Sequence, residues 1–546
     1  MKRRKLGVLL AAVAAVLAIA TAAAFANNNK AGFKTSIDPM LVAGVDRGDV
    51  TIEKIISVGD TLPGGYMFDA IPDGIAFDVR GQGRADVYLN HETSTVPFPI
   101  PTATQPTVEQ TAQNDYDDSS LSRLALNQHS KGVLHASIPI TGAENWQRFC
   151  SSYLATEKEG FDRDILFLNE ETPDTVNRTG VAYPLSAGGS NPDQAGYVVA
   201  YDIKSGERKK IPGMGRHNHE NSVPIPGFDD LVVLSGDDTF TTTVGFPQSQ
   251  VYAYIAPDTD ALWNDDGHLY GFASNDPSVQ KYEDFNALAG TPTSIQGKFV
   301  PIADNIAQGG QAGLEAVSGI FRFIRIEDIA YDKRNPNIVY LADSGRATSG
   351  AAAAGKSTNG RIWKMVLSES SDPNAPLDVT LSILVEGDDN ATKTFREIHQ
   401  PDNLETTADS LLVTEDPSTN NQFLASDTGA HGARVWRVPL TSPGVAGTPE
   451  IVLAVDQSLD EEPGYDVDGD NVAGITPAPP PIAPGRLGAW EASGIVDASS
   501  IWGPGWFLVD VQAHTLWVDK EADPVNAGFT RKREGGQLLA VHIPRA

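Results

Sequence analysis

Acidic side chains in this chain recur at the ends of short apolar runs, beside histidine, asparagine or arginine. The last side chains of a strand lie at the rim of a sheet, so these acids are predicted to converge on one mouth. Converging carboxylates repel one another and stay ionised only when cations neutralise them. The pattern therefore predicts a metal-lined site. The runs and their acids occupy residues 87–92, 165–171, 216–220, 321–328 and 411–416.

The pair Arg325 and Glu327 gives the most specific prediction. Residues i and i+2 of a strand point to the same face, so these two side chains would share one site. The glutamate could then bind a metal, and the arginine could make a bidentate contact with phosphate. A cross-strand salt bridge is the alternative interpretation.

Histidines precede acids at two of these positions. His217 and His219 lie before Glu220 and could bind zinc, but no third ligand with zinc-like spacing follows. Hydrogen bonding of these histidines to the backbone is the alternative, and the same two interpretations apply to residues 90–92. Residues 466–471 place three carboxylates at alternate positions, which suits either a calcium loop without the EF-hand spacing or a solvated acidic turn.

The N-terminus has the three regions of a secretory signal peptide. Four basic residues lie at positions 2–5, an apolar run extends over 6–24, and an A-x-A sequence occupies 24–26. We expect cleavage after residue 26 and a secreted or periplasmic protein. The alternative is an uncleaved membrane anchor, because the apolar run is long enough to span a bilayer.

The charge of the chain argues against nucleic acid and anionic lipid as partners. The net charge of −30 becomes −34 when residues 1–26, with four basic and no acidic side chains, are removed. A surface this acidic repels both polyanions. The single cysteine, Cys150, excludes an internal disulfide, so the exported fold must rest on core burial, metals or both. We expect a monomer with no membrane contact beyond the signal peptide.

Short β-rich runs separated by Gly, Pro, Asn and Asp fill the chain after the signal peptide. Several place a small or polar residue, a β-branched residue or leucine, and an aromatic in alternation, as the inner strands of a propeller blade do. The fold predicted is an all-β propeller of about six blades forming one domain over 27–546. Long loop insertions are predicted at residues 97–120, 345–360 and 456–485.

No serine nucleophile elbow, P-loop or dinucleotide fingerprint is present in the sequence. If the protein is a hydrolase, the route that remains is metal-dependent.

An ordered set of segments resembles the PhoX-type alkaline phosphatases, a family of secreted bacterial β-propellers. The resemblance implies a six-bladed propeller whose central mouth holds iron and calcium ions and cleaves phosphate monoesters. The segments, which cover nearly the whole mature chain, are 71–74, 87–92, 122–124, 170–171, 219–220, 232–238, 325–327, 400–403, 412–416 and 511–514.

The resemblance also implies roles for individual residues. Arg325 is expected to be catalytic and to bind phosphate. We also predict that Asn169 is catalytic and that His219 contacts the substrate. Because Glu170 and Glu171 are adjacent, only one of them can face the site from a strand. The expected metal ligands are Glu92, Glu170 or Glu171, Glu220, Glu327, Glu415 and Asp416.

Two departures from the family pattern bear on the cofactor. Asn169 stands where the family has an iron-binding cysteine, and Cys150, 19 residues earlier, is expected to be buried rather than catalytic. Ala513 interrupts the family's usual Gln-His pairing. Since oxygen ligands suit calcium and a thiolate suits iron, calcium is the expected cofactor and iron the less favoured one. The alternatives are a calcium-stabilised propeller without catalysis, or another metal-dependent hydrolase such as a phytase or lactonase.

Overall fold

The structure is a computed structural model. It describes residues 31–96, 113–176, 178, 193–239, 248–287, 294–345, 359–372, 374–387, 396–416, 432–457, 490–525 and 529–544. The predicted signal peptide, the acidic segment 466–471 and most of the three predicted insertions lie outside these residues, so the predicted domain limits stay predictions. Among the described residues, no helix has the length and apolar character needed to cross a membrane.

Antiparallel strands dominate the described residues. The first two, β1 (Leu41–Ala43) and β2 (Thr51–Ser57), join the last two blades. The first blade contains β3 (Pro72–Arg80), β4 (Arg84–His91), β6 (Ser120–Asn127) and β7 (Val133–Ile140), with β5 (Gln113–Asp115) before β6. The second contains β8 (Phe149–Ala155), β9 (Ile165–Glu170), β12 (Val198–Asp202) and β13 (Arg208–Lys210), with the short pair β10 (Thr175–Val176) and β11 (Asp193–Gln194) inserted.

The third and fourth blades form one continuous nine-stranded sheet, because β18 of one pairs with β22 of the other. The third contains β14 (His219–Ile225), β15 (Leu231–Asp237), β16 (Val251–Ala256), β17 (His268–Ser274) and β18 (Ser294–Pro301). The fourth contains β19 (Ile326–Tyr331), β20 (Ile338–Asp343), β21 (Arg361–Glu369) and β22 (Leu377–Glu386).

The fifth and sixth blades take up the N-terminal strands at their outer edges. The fifth contains β23 (Pro401–Thr406), β24 (Ser410–Glu415), β25 (Arg434–Ser442), β26 (Val445–Ala446) and β27 (Glu450–Val455), with β1 beside β27. The sixth contains β28 (Trp490–Asp497), β29 (Trp506–Ala522) and β30 (Thr530–His542), with β2 beside β30.

Helices are few and short in this part of the chain. The α-helices are α1 (Thr259–Trp263), α2 (Asp304–Ala307), α3 (Gln311–Glu315) and α4 (Ser499–Trp502). The 3-10 turns are Gly142–Glu144, Glu157–Glu159, Pro212–Met214 and Tyr282–Ala287.

The innermost strands of the blades form a closed ring. In the described residues, β3, β8, β14, β19, β23 and β28 each contact the next, and β28 contacts β3 again. Because β2 from the N-terminus completes the last blade, the two ends of the ring are held together by strand pairing. The prediction of an all-β propeller with about six blades is confirmed.

The core lies between neighbouring blades, where both faces of each sheet are buried. Strands β21 and β25 show why the sequence folds this way, since both alternate buried apolar residues with half-buried ones along the strand. Trp363 and Trp436 occupy the same position in these two strands and are 0% and 1% exposed. Their indole N–H groups donate to Asp343 and Glu415, which end the neighbouring second strands. The repeated motif thus ties the core to the rim in the fourth and fifth blades.

Candidate metal centre

A β-bulge interrupts each inner strand close to its start, at the same end of the ring. In five blades the first residue of the bulge is a potential metal ligand, and in the sixth the bulge residues are Ser493 and Gly494. A bulge turns its extra residue out of the ladder, which re-aims the side chain. These five potential metal ligands, which we call the ring ligands, are Asp73, Cys150, Glu220, Glu327 and Asp402.

Three of these bulges begin from a strained backbone. Ile71, Arg148 and Gln400 have φ values of 46°, 43° and 50°, in the left-handed region that residues with a Cβ rarely adopt. Each lies two residues before a ring ligand, Asp73, Cys150 or Asp402. Strain of this kind clusters where a site over-determines the backbone.

A second group of acids comes from the ends of the second strands. They follow β4, β9, β15 and β24 directly, so they rise at the same rim as the bulges. Three of them, Glu92, Glu171 and Asp416, line a cavity of about 430 Å³ on the propeller axis together with the five bulge residues named above, while Asp238 after β15 pairs with Arg325. The lining residues are Asp73, Glu92, Arg148, Cys150, Glu171, Pro173, Asp174, Asn218, Glu220, Thr239, Arg325, Glu327, Asp402, Asp416, Glu491, Gln512 and His514.

We refer to eight of these acids as the cavity carboxylates. They are Asp73, Glu92, Glu171, Glu220, Glu327, Asp402, Asp416 and Glu491.

Three groups of potential ligands have their donor atoms within 4.8 Å of one another. Cys150 belongs to two of them and Glu220 to two, so the groups form a continuous chain along the ring. The Cys150 sulfur lies 3.0 Å from Asp73 Oδ2 and 3.0 Å from Glu220 Oε1. The groups are Asp73–Glu92–Cys150, Cys150–Glu171–Glu220 and Glu220–Glu327–Asp402.

The electrostatics of the cavity require cations for the acids to ionise. Burial, followed by the charge of Asp73, raises the pKa of Glu92 to about 8. Burial and neighbouring carboxylates also hold the pKa values of Glu171, Glu220 and Asp402 well above their ordinary range. Clustered acids of this kind ionise when metals neutralise them. The donor chemistry therefore fits metal ions.

Arg325 is the buried cation of this cavity. Its Nε and Nη2 donate to the two carboxylate oxygens of Asp238 at 2.9 and 2.8 Å, and Nη2 lies 2.7 Å from Glu327 Oε1. The bidentate bond fixes the plane of the guanidinium. Arg325 and Glu327 therefore lie at one site, as their spacing predicted, and they are also ion-paired.

Six of the predicted site residues line the cavity together. They are Glu92, Glu171, Glu220, Glu327, Asp416 and Arg325. Their roles as ligands and phosphate contact stay predictions.

Glu170 and Glu415 lie outside the cavity lining, each one residue before a cavity carboxylate. Glu170 accepts from the backbone N–H groups of Gln147 and Tyr197 and pairs with Arg178 at 2.8 Å. Glu415 accepts from the backbone N–H groups of His399 and Arg434 at 2.8 and 3.0 Å and from an indole N–H. Both carboxylates organise the loops that carry the ligands.

Asn169 and His219 also lie outside the cavity lining. Asn169 donates to the Ser151 carbonyl at 2.9 Å and accepts from Ser222 Oγ at 2.7 Å. His219 contacts Ser235 Oγ at 2.8 Å and the Gly215 carbonyl at 2.9 Å. These contacts match the interpretation of the histidine as a hydrogen-bonding group and place Asn169 as a brace between strands.

Sequence reasoning did not select four residues of the cavity lining, Asp73, Cys150, Asp402 and Glu491, as candidate ligands. A signal for two of them exists, since Pro72-Asp73 and Pro401-Asp402 repeat the same dipeptide at the start of an inner strand. Cys150 is buried and free, as expected, but its thiol lies among the cavity carboxylates. The thiol in this cavity thus comes from strand β8, whereas Asn169 lies outside the lining.

Below the ring, the second residues of the bulges line a smaller axial cavity of about 80 Å³. Ser151 connects the two cavities, because it donates to Glu220 at 2.9 Å and accepts from the Asn403 amide at 2.6 Å. This polar layer supports the ring from beneath.

The model of the family described as alkaline phosphatase PhoX matches residues 139–437, more than half of the chain. The chain belongs to the PhoX alkaline phosphatase family. The matched residues include four of the potential metal ligands of the ring in this PhoX chain, Cys150, Glu220, Glu327 and Asp402. The resemblance expected from the sequence is thereby confirmed at the level of the family.

Two solved structures are similar to this PhoX chain over most of its length. A protein of unknown function from Dyadobacter fermentans is 9% identical, with a TM-score of 0.38 over 91% of this chain and 100% of that one. A glycosyl hydrolase from Bacteroides ovatus is 7% identical, with a TM-score of 0.31 over 94% and 93%. Scores this low carry no argument about fold or activity. None of the curated proteins compared with the chain matches it.

Proposed function

We propose that this PhoX protein hydrolyses phosphate monoesters in the axial cavity, with metal ions held by the cavity carboxylates. The observation that supports this most strongly is the convergence of eight acids, a thiol and a fixed arginine on one cavity of about 430 Å³. A structural ion would need only one such group of ligands. Three linked groups of potential metal ligands beside an arginine, which can bind phosphate, suit a reaction centre.

The donor types suggest which ions the cavity would hold. Glu220, Glu327 and Asp402 offer oxygen only, which suits calcium. The two groups that contain the Cys150 thiol suit a softer ion such as iron. Cations bound there would neutralise the phosphate and activate the attacking water.

Arg325 is the side chain that would contact the phosphate group directly. Asp238 holds its planar guanidinium at the cavity wall, so no reorganisation is needed when a phosphate arrives. A planar guanidinium held at the cavity wall would stabilise the charge that develops on the oxygens of a phosphate. Arg325 would therefore position the phosphoryl group against the cavity carboxylates and their ions.

Substitution of Arg325 tests this proposal. Arg325→Lys keeps the positive charge but loses the planar guanidinium that Asp238 holds. In calcium- and iron-loaded protein it should reduce hydrolysis of p-nitrophenyl phosphate by about a hundredfold or more. Arg208→Lys is the matched control, because Arg208 makes a similar bidentate pair with Glu144 on the surface. The proposal fails if Arg325→Lys hydrolyses at the wild-type rate, or if metal-loaded wild type hydrolyses no phosphate ester at any pH.

We also infer that the protein is exported. The inference rests on the basic, apolar and A-x-A regions within residues 1–26. Intact-mass analysis of protein from the native host should give a mature chain that begins at Asn27. A mass that retains residues 6–24 would show a membrane anchor instead.

A further inference from the structure

The sixth blade has Ser493 and Gly494 at its inner-strand bulge, where each of the other five blades has a ring ligand. Ser493 Oγ donates to Asp73 Oδ1 at 2.9 Å. From the neighbouring strand β29, Gln512 Nε2 donates to Asp73 Oδ2 at 3.0 Å and to Glu92 Oε2 at 3.1 Å. At this bulge the sixth blade therefore supplies hydrogen-bond donors to two acids of the first blade.

Two glycines of the sixth blade let the start of strand β3 lie close enough for these bonds. A Cβ at Gly494 would lie 2.6 Å from the Asp73 carbonyl oxygen. Gly536 pairs with Gln512, and a Cβ there would lie 2.6 Å from Pro72 Cδ. Because only glycine permits such a close approach of the backbone, the junction between the last and the first blade depends on both residues.

The Gln512 side chain is 0% exposed and lines the cavity. Its Nε2 donates to the two acids, whereas none of the residues that the structure describes donates to its Oε1. A buried amide oxygen without a donor is costly unless a molecule in the cavity contacts it. The amide is therefore suited to hold two ligand acids and to accept a hydrogen bond from water on an ion that they bind.

Asp73 and Glu92 form one ligand group with Cys150, whose sulfur lies 3.0 Å from Asp73 Oδ2. We propose that Gln512 and Ser493 are positioning residues for the metal ion that this group would bind. Both donors are uncharged, so they fix the carboxylates without cancelling the charge that attracts a cation. Hydrogen-bond partners of metal ligands orient those ligands and raise the affinity for the metal. The inference rests on the proposed function, because both place metal ions in this cavity.

The alternative is a hydrogen-bonded contact between two blades that stabilises the fold only. The experiment uses purified mature protein that is stripped with chelator and titrated with Co²⁺ by calorimetry. A bond between Co²⁺ and a thiolate gives an absorption band in the near ultraviolet, so the band identifies the binding steps that involve Cys150. Gln512→Asn shortens the side chain and should weaken one thiolate-linked step by roughly 10- to 100-fold. The other steps should match wild type.

Gln537→Asn is the matched control, because Gln537 is an equally buried glutamine of the same sheet. Its side chain bonds to the Met40 N–H, the Asp38 carbonyl and Ser57 Oγ, away from the cavity. The control should lower the free energy of unfolding and leave every Co²⁺ step unchanged. Folded Gln512→Asn with wild-type affinity at every step, or with equal weakening at every step, would overturn the inference. A wild type without a thiolate-linked step would also overturn it.

Ser493→Ala provides a second variant, since it removes the donor to Asp73 Oδ1 and leaves Gln512 in place. It should weaken the same Co²⁺ step by a smaller factor. If Gln512→Asn does not fold, Ser493→Ala decides: weaker binding at the thiolate-linked step supports the inference, and wild-type binding at every step overturns it. Phosphate ester hydrolysis is measured separately. A wild type that binds Co²⁺ through Cys150 but hydrolyses no ester when metal-loaded would refute the function alone, and hydrolysis with unchanged binding in the variants would refute the inference alone.

Discussion

Neighbouring acids at the rim of the propeller have opposite surroundings. Glu170 and Glu415 face protein donors, and each accepts at least two backbone N–H bonds. Glu171 and Asp416, one residue later, face the cavity and other acids. We call the first kind anchor carboxylates. They are Glu170, Asp343 and Glu415.

Acidic residues at the strand ends therefore have two different functions in this fold. An anchor carboxylate is satisfied by the protein and fixes the loop after a second strand. A cavity carboxylate lies among other carboxylates, so cations from outside the chain would favour its ionised form. Alternation of side chains at a strand end assigns the two functions to adjacent residues.

The largest effect is expected when a cavity carboxylate and the anchor carboxylate next to it are substituted separately in the second blade. Glu171→Gln should reduce phosphate ester hydrolysis by about a hundredfold or more, because a charged ligand is lost. Glu170→Gln should leave hydrolysis per folded molecule within a few-fold. It should instead lower the free energy of unfolding by about 3 kcal/mol, since Arg178 loses its buried partner. Rate assays and denaturant melts on both variants measure this.

Equal losses of activity and stability in both variants would show that Glu170 and Glu171 do not have separate functions in stability and in hydrolysis. Asp416→Asn and Glu415→Gln repeat the comparison in the fifth blade.

The next effect concerns the cavity carboxylates as a group. In metal-free protein the pKa of Glu92 is about 8, above its ordinary 4.5, because of burial and then Asp73. A raised pKa stabilises the fold below pH 4.5, and this stability is lost as the pH rises towards 8. The stabilisation by Ca²⁺ should therefore grow from pH 5 to pH 8, reaching about 4 kcal/mol at 1,000 times the dissociation constant.

Thermal melts with chelator and with Ca²⁺ across this range check the prediction. Coincident melting curves at pH 8 for metal-free and calcium-loaded protein would contradict it.

The smallest expected effect concerns His219, a buried histidine next to a cavity carboxylate. His219 precedes Glu220 as Glu170 precedes Glu171, and burial lowers its pKa from 6.5 to about 4. A lowered histidine pKa gives stability that is present above pH 6.5 and is lost as the pH falls towards 4. This amounts to about 3 kcal/mol. His219→Gln should flatten the acid limb of the stability curve, whereas His135→Gln should not.

The strand pattern was sufficient to predict the fold, because a propeller repeats one local signal. Alternating apolar residues and the recurring tryptophans of β21 and β25 are properties of single strands. The candidate site could be predicted only in part. A strand end shows that an acid is at the rim, but whether it meets backbone donors or a cavity depends on the neighbouring blade, as Glu170 and Glu171 show.

The β-bulges are the second reason why the sequence did not indicate every residue of the cavity lining. Asp73 and Asp402 are aimed at the axis by a bulge that depends on pairing with the second strand, and pairing is not visible in one strand's sequence. Cys150 reaches the cavity in the same way, although nothing beside it in the chain indicates a ligand.

The metal content of the purified chain tests the central claim most directly. Elemental analysis of mature wild type should show about three ions per chain from the three ligand groups, calcium among them. Glu220→Gln should lose more than one of these ions, because Glu220 belongs to two groups, while Glu170→Gln should retain them all. A wild-type chain that holds no calcium or transition metal after dialysis against micromolar metal would contradict the account.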